Sequence, residues 1–242
     1  MTRLVTGLAI ITAVSGLVQP ISAAEQQPIV YSVRVEKFGF GTSDAGAFAD
    51  WDATFRIGND DHRFVLRTEG ERVKSKFEEA ELTALYERPL WEFWNVQAGW
   101  RRDFKPRNRN HLAFGFQGLS PNFFEVETTG YLSEKGALGG RFKGSIDLLI
   151  ARDLFGTGGI GLFAEPWVEV NVSSKADREM GVGSGIVNVK PALQIRYEFE
   201  RWFAPYVEVG WERKLGQTAR FARDERERES NIHWVVGIRS WF

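Results

Sequence analysis

The sequence predicts an all-β protein, a transmembrane antiparallel up-and-down β-barrel of about twelve strands around a polar lumen. Three observations predict it. Apolar and polar residues alternate with a period of two along nearly the whole chain, the signature of strands with two different faces. The 242 residues are rich in aromatics, with 19 Phe, 9 Trp and 5 Tyr, yet mean hydropathy is only −0.28. Beyond the first two dozen residues no apolar run approaches the ~20 residues that a helical span requires. Finally, the chain opens on an export segment and closes on the aromatic Phe242.

That opening segment is an address. Arg3 supplies a positive start, Leu4 to Val18 an apolar stretch, and Ser22-Ala23-Ala24 the small residues of a cleavage site, the three parts of a secretory signal peptide. Residues 1–24 are therefore expected to be removed, leaving 25–242 as one outer-membrane β-barrel domain.

Twelve alternating segments follow, at about 29–38, 46–57, 62–72, 76–87, 92–103, 110–119, 122–132, 138–151, 159–172, 185–199, 203–214 and 231–242. In the second, Ala49, Trp51, Ala53, Phe55 and Ile57 share one face, and Asp50, Asp52, Thr54 and Arg56 the other. The fifth sets Trp94, Val96, Ala98 and Trp100 against Asn95, Gln97, Gly99 and Arg101. The last sets Ile232, Trp234, Val236 and Ile238 against His233, Val235, Gly237 and Arg239. Strand plus connection averages about 18 residues, in keeping with outer-membrane strands joined by short turns. Alternation alone also fits a soluble β domain. The export signal, the even strand number and the terminal Phe242 place the aromatic face in lipid.

Connections after even strands are mostly tight, as at Gly58-Asn59-Asp60-Asp61, Ser120-Pro121 and Glu200-Arg201-Trp202. Those after odd strands are expected to be longer, at 39–45, 104–109, 173–184 and 215–230, although 72–75 breaks the trend. This asymmetry belongs to a barrel with both termini in the periplasm. The run Arg220, Arg223, Asp224, Glu225, Arg226, Glu227, Arg228 reads as a solvated loop facing charged surface glycolipid.

Composition removes several functions. A formal net charge of −1 does not suit a nucleic-acid binder, which needs a basic excess to neutralise phosphates. The absence of cysteine removes disulfides, thiolate metal sites and cysteine nucleophiles. A hydrolase needs a Ser or Asp activated by a positioned His, and inward serines such as Ser145 have no His near them in sequence. Carboxylate pairs such as Glu69/Glu71 recur on too many strands to single out a glycosidase pair. The chain is expected not to be an enzyme.

What the inward face offers is charge. About sixteen carboxylates face about nine basic side chains. The expected ion path runs along Glu69, Glu71, Glu81, Gln97, Arg101, Glu125, Glu127, Asp147, Glu169, Arg196, Glu198, Glu212 and Arg239. Inward charges must be paired or wet, so a network that stiffens the wall and an acidic path that concentrates cations are compatible readings. Metal ligands are scarce: His111 and His233 fall on the inward face, on opposite sides of a twelve-strand ring, and Met180 lies in the 173–184 loop, which could reach inward. His62, near a turn, reads as a surface residue.

Several blocks resemble the copper resistance protein B family. They are Leu66-Arg67-Thr68-Glu69-Gly70-Glu71, Ala80-Glu81-Leu82-Thr83-Ala84-Leu85-Tyr86, Gln97-Ala98-Gly99-Trp100-Arg101, Gln117-Gly118-Leu119-Ser120-Pro121 and Phe123-Phe124-Glu125-Val126-Glu127. Gly183-Ser184-Gly185, Arg196-Tyr197-Glu198, Phe203-Ala204-Pro205-Tyr206-Val207, Trp211-Glu212-Arg213-Lys214 and Gly237-Ile238-Arg239-Ser240-Trp241-Phe242 continue it, in order, to the end. The resemblance implies a barrel in the bacterial outer membrane that handles copper ions or passes them across it and supports copper tolerance. It also implies outer-membrane lipid as surroundings and a periplasmic copper-binding protein as a partner. The chain departs from the family in lacking its usual Met- and His-rich segment: Glu25-Gln26-Gln27-Pro28 leads straight into the first strand, and the whole chain has 2 Met and 3 His. Ser240 also stands where the terminal signal is ordinarily apolar. A structural or passive-pore barrel without specific copper binding is the alternative expectation.

Overall fold

The computed structural model describes residues 27–156 and 158–242; the expected signal peptide, 1–24, lies outside them. The alternating segments become β1 (Val30–Ser43), β2 (Gly46–Gly58), β3 (Arg63–Val73), β4 (Lys76–Trp91), β5 (Trp94–Lys105), β6 (Arg109–Ser120) and β7 (Phe124–Ser133). After these come β8 (Leu138–Ile146), β9 (Leu148–Ala151), β10 (Gly161–Ser173), β11 (Gly185–Glu198), β12 (Ala204–Lys214) and β13 (Ser230–Trp241). β8 and β9 are two halves of one wall strand. β8 pairs with the second half of β10 and β9 with the first, so thirteen segments fill twelve wall positions. The break falls at Asp147, beside Pro166 of β10, which has no N–H to give the ladder.

All described neighbours pair antiparallel, and the ring closes. β1 runs against β13 from Arg34↔Trp241 to Ser43↔His233, and Val33 and Phe242 exchange two backbone hydrogen bonds of 2.9 Å each. Closure leaves no edge, the condition for a sheet to span a membrane.

The two faces separate as alternation requires. Phe38, Phe40, Leu112, Phe114, Trp234 and Val236 are exposed on the outside, where lipid would cover them. Tyr31, Trp91, Phe93, Trp202 and Phe242 are exposed at the end that carries the termini, the level of an interfacial aromatic girdle. Inside, the apolar contribution is small. Phe48, Val73, Tyr206 and Val235 form one cluster, and Val65, Leu85 and Ala113, with Tyr131 against them, form another. Most of the rest of the interior is polar, with Trp167 among its exceptions.

Three expectations are corrected. Residues 39–43 continue β1 instead of forming a loop, so the β1–β2 connection shrinks to Asp44-Ala45. The connection expected at 104–109 is likewise only 106–108. The third correction concerns the charged run after β12. It is not an open loop but carries helix α1 (Gly216–Asp224), with Thr218, Ala219 and Ala222 buried. Good helix formers with small residues three and four apart suffice to build that face. The helix docks on the 174–184 connection: Thr218 Oγ1 accepts from the Gly183 amide at 2.9 Å, and Gln217 Oε1 from the Ser184 amide at 3.2 Å.

Candidate functional site

Each strand delivers alternate residues to the lumen, and one irregularity decides who meets whom. On β1, Val35 pairs with Ala53 and Lys37 with Asp52, leaving Glu36 as a bulge. The extra residue shifts the alternation by one, so Arg34, Glu36 and then Lys37 all reach inward. Strict alternation would have pointed Lys37 at lipid.

The lumen holds three stacked cavities. The one at the terminus-bearing end is about 400 Å³, lined by Arg34, Arg56, Arg63, Arg67, Glu36, Glu87, Glu125, Glu127, Glu165 and Arg239, among others. A waist of about 60 Å³ follows. Beyond it lies a vestibule of about 210 Å³ at the opposite end. Charge is unevenly spread. The waist is lined by seven carboxylates (Asp50, Asp52, Glu69, Glu71, Glu79, Glu81, Glu169) against four cationic side chains (Lys37, Arg141, Lys143, Lys190).

Ion pairs cross from wall to wall. Arg141 on β8 bonds Glu69 on β3, lies 3.1 Å from Glu81 on β4, and stands 3.7 Å from Glu169 on β10. Arg101 bonds Glu81 and reaches Asp103 at 2.6 Å. Arg67 bonds Glu127. Lys190 is 3.4 Å from Glu71 and 3.3 Å from Glu79. Nearer the termini, Arg196 gathers Asp147 at 2.6 Å and Glu165 and Glu198 at 2.8 Å each, while Arg239 links Glu165 at 2.5 Å to Glu36 at 2.6 Å. Gln97 donates to Glu87 at 2.6 Å, and Asn188 to Glu212 at 2.6 Å. Glu125 lines the terminus-end cavity.

The deepest charge is Glu208, whose side chain is fully buried. It accepts from Lys37 at 2.7 Å, from Trp167 Nε1 at 3.0 Å and from Gln194 at 3.3 Å. The knot is propped by Tyr206, whose hydroxyl sits over Gly39 and Gly237, register partners on β1 and β13. A Cβ on either would lie within 2.7 Å of that oxygen, so both positions need glycine.

The three expected metal ligands are not brought together. His111 and Met180 line the same vestibule, with His111 Nε2 2.9 Å from Asp103. His233 lies elsewhere, stacked on Phe48 at 4.7 Å between ring centroids and 3.7 Å from Glu208. No group of three or more His, Asp or Glu side chains is arranged to hold a metal ion among the described residues. His62 is exposed against Tyr86.

Sequence reasoning missed Lys37, Arg63, Glu87, Arg109 and Trp167. Parity alone could have found four of these. Glu87 shares a face with Glu79 and Glu81, Trp167 with Glu165 and Glu169, Arg109 with His111, and Arg63 with Arg67 and Glu69. Lys37 was hidden by the bulge.

A closed twelve-position antiparallel barrel, greasy outside and ionised within, defines the class of outer-membrane β-barrels. Solved porins share the fold. KdgM porin superposes with a TM-score of 0.53 at 13% identity, over 88% of this chain and 99% of that one. NanC porin gives 0.54 at 11% identity, over 87% and 99%. Within that class the chain belongs to the copper resistance protein B family, whose precursor model matches residues 29–242. The copper resistance protein B homolog of Pseudomonas syringae pv. tomato is 38% identical over 208 residues, 86% of this chain and 68% of that protein. Copper resistance protein B of Escherichia coli is 34% identical over 221 residues, 91% and 72%. The protein is thus a copper-resistance barrel of the bacterial outer membrane.

Proposed function

We propose that this barrel passes copper ions through its lumen across the outer membrane, and that this passage underlies tolerance. The observation that carries the reading is the waist, where seven carboxylates stand against four cations. Low-dielectric walls focus such an excess into a field that draws cations. Carboxylate and imidazole suit Cu(II), whereas the thioethers that favour Cu(I) are almost absent, so the cargo is the divalent ion. In the vestibule His111 and Met180 offer an arriving ion one nitrogen and one sulfur contact. Glu81 and Glu169 then lead into the waist, where Glu69 and Glu71 follow. Gln97, Arg101, Glu127, Asp147, Arg196, Glu198, Glu212 and Arg239 hold that path in shape, with Glu125 at its exit. The protein performs no bond chemistry. Residues 1–24 act as a removable export address, and a periplasmic copper-binding protein receives the ion at the terminus-bearing end.

Copper accumulation and tolerance in cells with and without the gene test this reading. The expected result is a clear difference that Glu71→Gln with Glu79→Gln diminishes; identical uptake and tolerance would reject it. A second reading, a passive pore indifferent to copper, is favoured by the lack of a clustered metal site among the described residues. Single-channel currents that ignore added Cu(II) would support that alternative.

A further inference from the structure

Neighbouring cavities share lining side chains. Lys37, Asp52, Lys143 and Trp167 line both the terminus-end cavity and the waist. Glu79, Glu81, Arg141 and Glu169 line both the waist and the vestibule. The first septum is the unusual one, because it sets an indole among charges. Trp167 Nε1 donates to the buried Glu208 at 3.0 Å. Lys37 Nζ lies 4.2 Å from the ring centroid and Lys143 Nζ 5.7 Å from it. Lys37 is itself tied to Glu208 at 2.7 Å, and Lys143 approaches Asp52 at 3.7 Å. One hydrogen bond and two cation–π contacts thus hold the ring where the terminus-end cavity meets the waist.

Size makes that position decisive. The waist is the smallest of the three cavities, about 60 Å³ against about 400 Å³ and about 210 Å³ on either side. An ion crossing the lumen meets the waist carboxylates at close quarters there, and exchanges water for carboxylate oxygen or passes when a septum moves. A septum of side chains opens by rotamer change, leaving the wall ladders intact.

We propose that Trp167 is the gate of this lumen and sets which hydrated ions cross it. This rests on reading the lumen as an ion path, so its test uses KCl without copper and is independent of the cargo. In planar bilayers Trp167→Ala is expected to raise unit conductance about threefold or more. Trp167→Phe keeps a ring but loses the bond to Glu208, and is expected to lengthen open dwells at similar conductance. Unit conductance in Trp167→Ala equal to the parent's overturns the gate. Should that variant fail to fold, judged by heat-modifiable gel mobility, labelling decides. The chain has no cysteine, so Ser145→Cys in the terminus-end cavity is a clean reporter. A membrane-impermeant cationic thiol reagent added at the vestibule side is expected to label it about tenfold faster with Trp167→Leu than with Trp167. Equal rates overturn the proposal. Identical copper uptake and tolerance with and without the gene, with these KCl results intact, sinks the copper reading and leaves the gate standing.

Discussion

Glu208 shows what one residue does in an ionised interior. Its fully buried carboxylate accepts from Lys37, Trp167 and Gln194, so removing it strands two donors and leaves Lys37 only the more distant Asp50, at 3.8 Å. Breaking a buried pair on one side costs about 3–5 kcal/mol. Urea unfolding from lipid vesicles, followed by tryptophan fluorescence, is expected to show a loss of that size for Glu208→Ala. Lys37→Met and Glu208→Leu combined with Asp50→Asn, a position that also pairs with Lys37 at 3.8 Å, should recover most of it, since no lone charge then remains; losses equal to that of Glu208→Ala would contradict the pairing. Gly237 makes a second case. A methyl there meets Tyr206 and the Phe38 carbonyl oxygen at 2.6 Å or less, and Gly237→Ala is expected to cost about 1–3 kcal/mol by overpacking in the same measurement. At this scale the sequence was legible wherever alternation is unbroken. It was silent at Lys37, because a bulge leaves no mark in a pattern of charged residues.

At the scale of elements, strand positions were readable because lipid outside and charge inside enforce a period of two on every strand. Helix α1 was not, since its buried face is only Thr218, Ala219 and Ala222 within a run of charge. The lipid-facing assignment has a direct check. Phe114, 53% exposed in the middle of β6, replaced by Arg should cost about 2–4 kcal/mol in vesicle unfolding; a negligible cost would mean that this face is wet. The 174–184 connection is pinned differently, by Arg109 to Asp177 at 2.7 Å and Lys135 to Glu179 at 2.6 Å. Hydrogen bonding from Lys135 holds Glu179 below the ordinary carboxylate range, and Asn110 with Arg109 does the same for Glu134. A lowered value means the tie is complete above the unfolded carboxylate value, about 4.3, and is lost only as pH falls through the lowered one. A spin label on Ser174→Cys should therefore stay immobile from about pH 8 to about pH 5 and loosen below about pH 4. Lys135→Ala should move that release upward, and release near neutral pH would contradict the assignment.

For the whole molecule, the barrel, its strand number and its inward charges could be read from alternation and ordered family blocks. The internal division could not. Which carboxylates gather at a narrow waist depends on register, on the bulge at Glu36 and on the break at Asp147, all products of pairing between distant strands. The same holds for His111 and Met180, distant in sequence yet lining one vestibule, while His233 stays apart. The account's central claim is that the excess of carboxylates at the waist makes this lumen a path for cations. The reversal potential of the purified barrel in a bilayer under a KCl gradient measures that directly. The account predicts a sign that marks K⁺ as the favoured ion, weakened when Glu71 and Glu79 are replaced by Gln; a chloride-selective potential would contradict it.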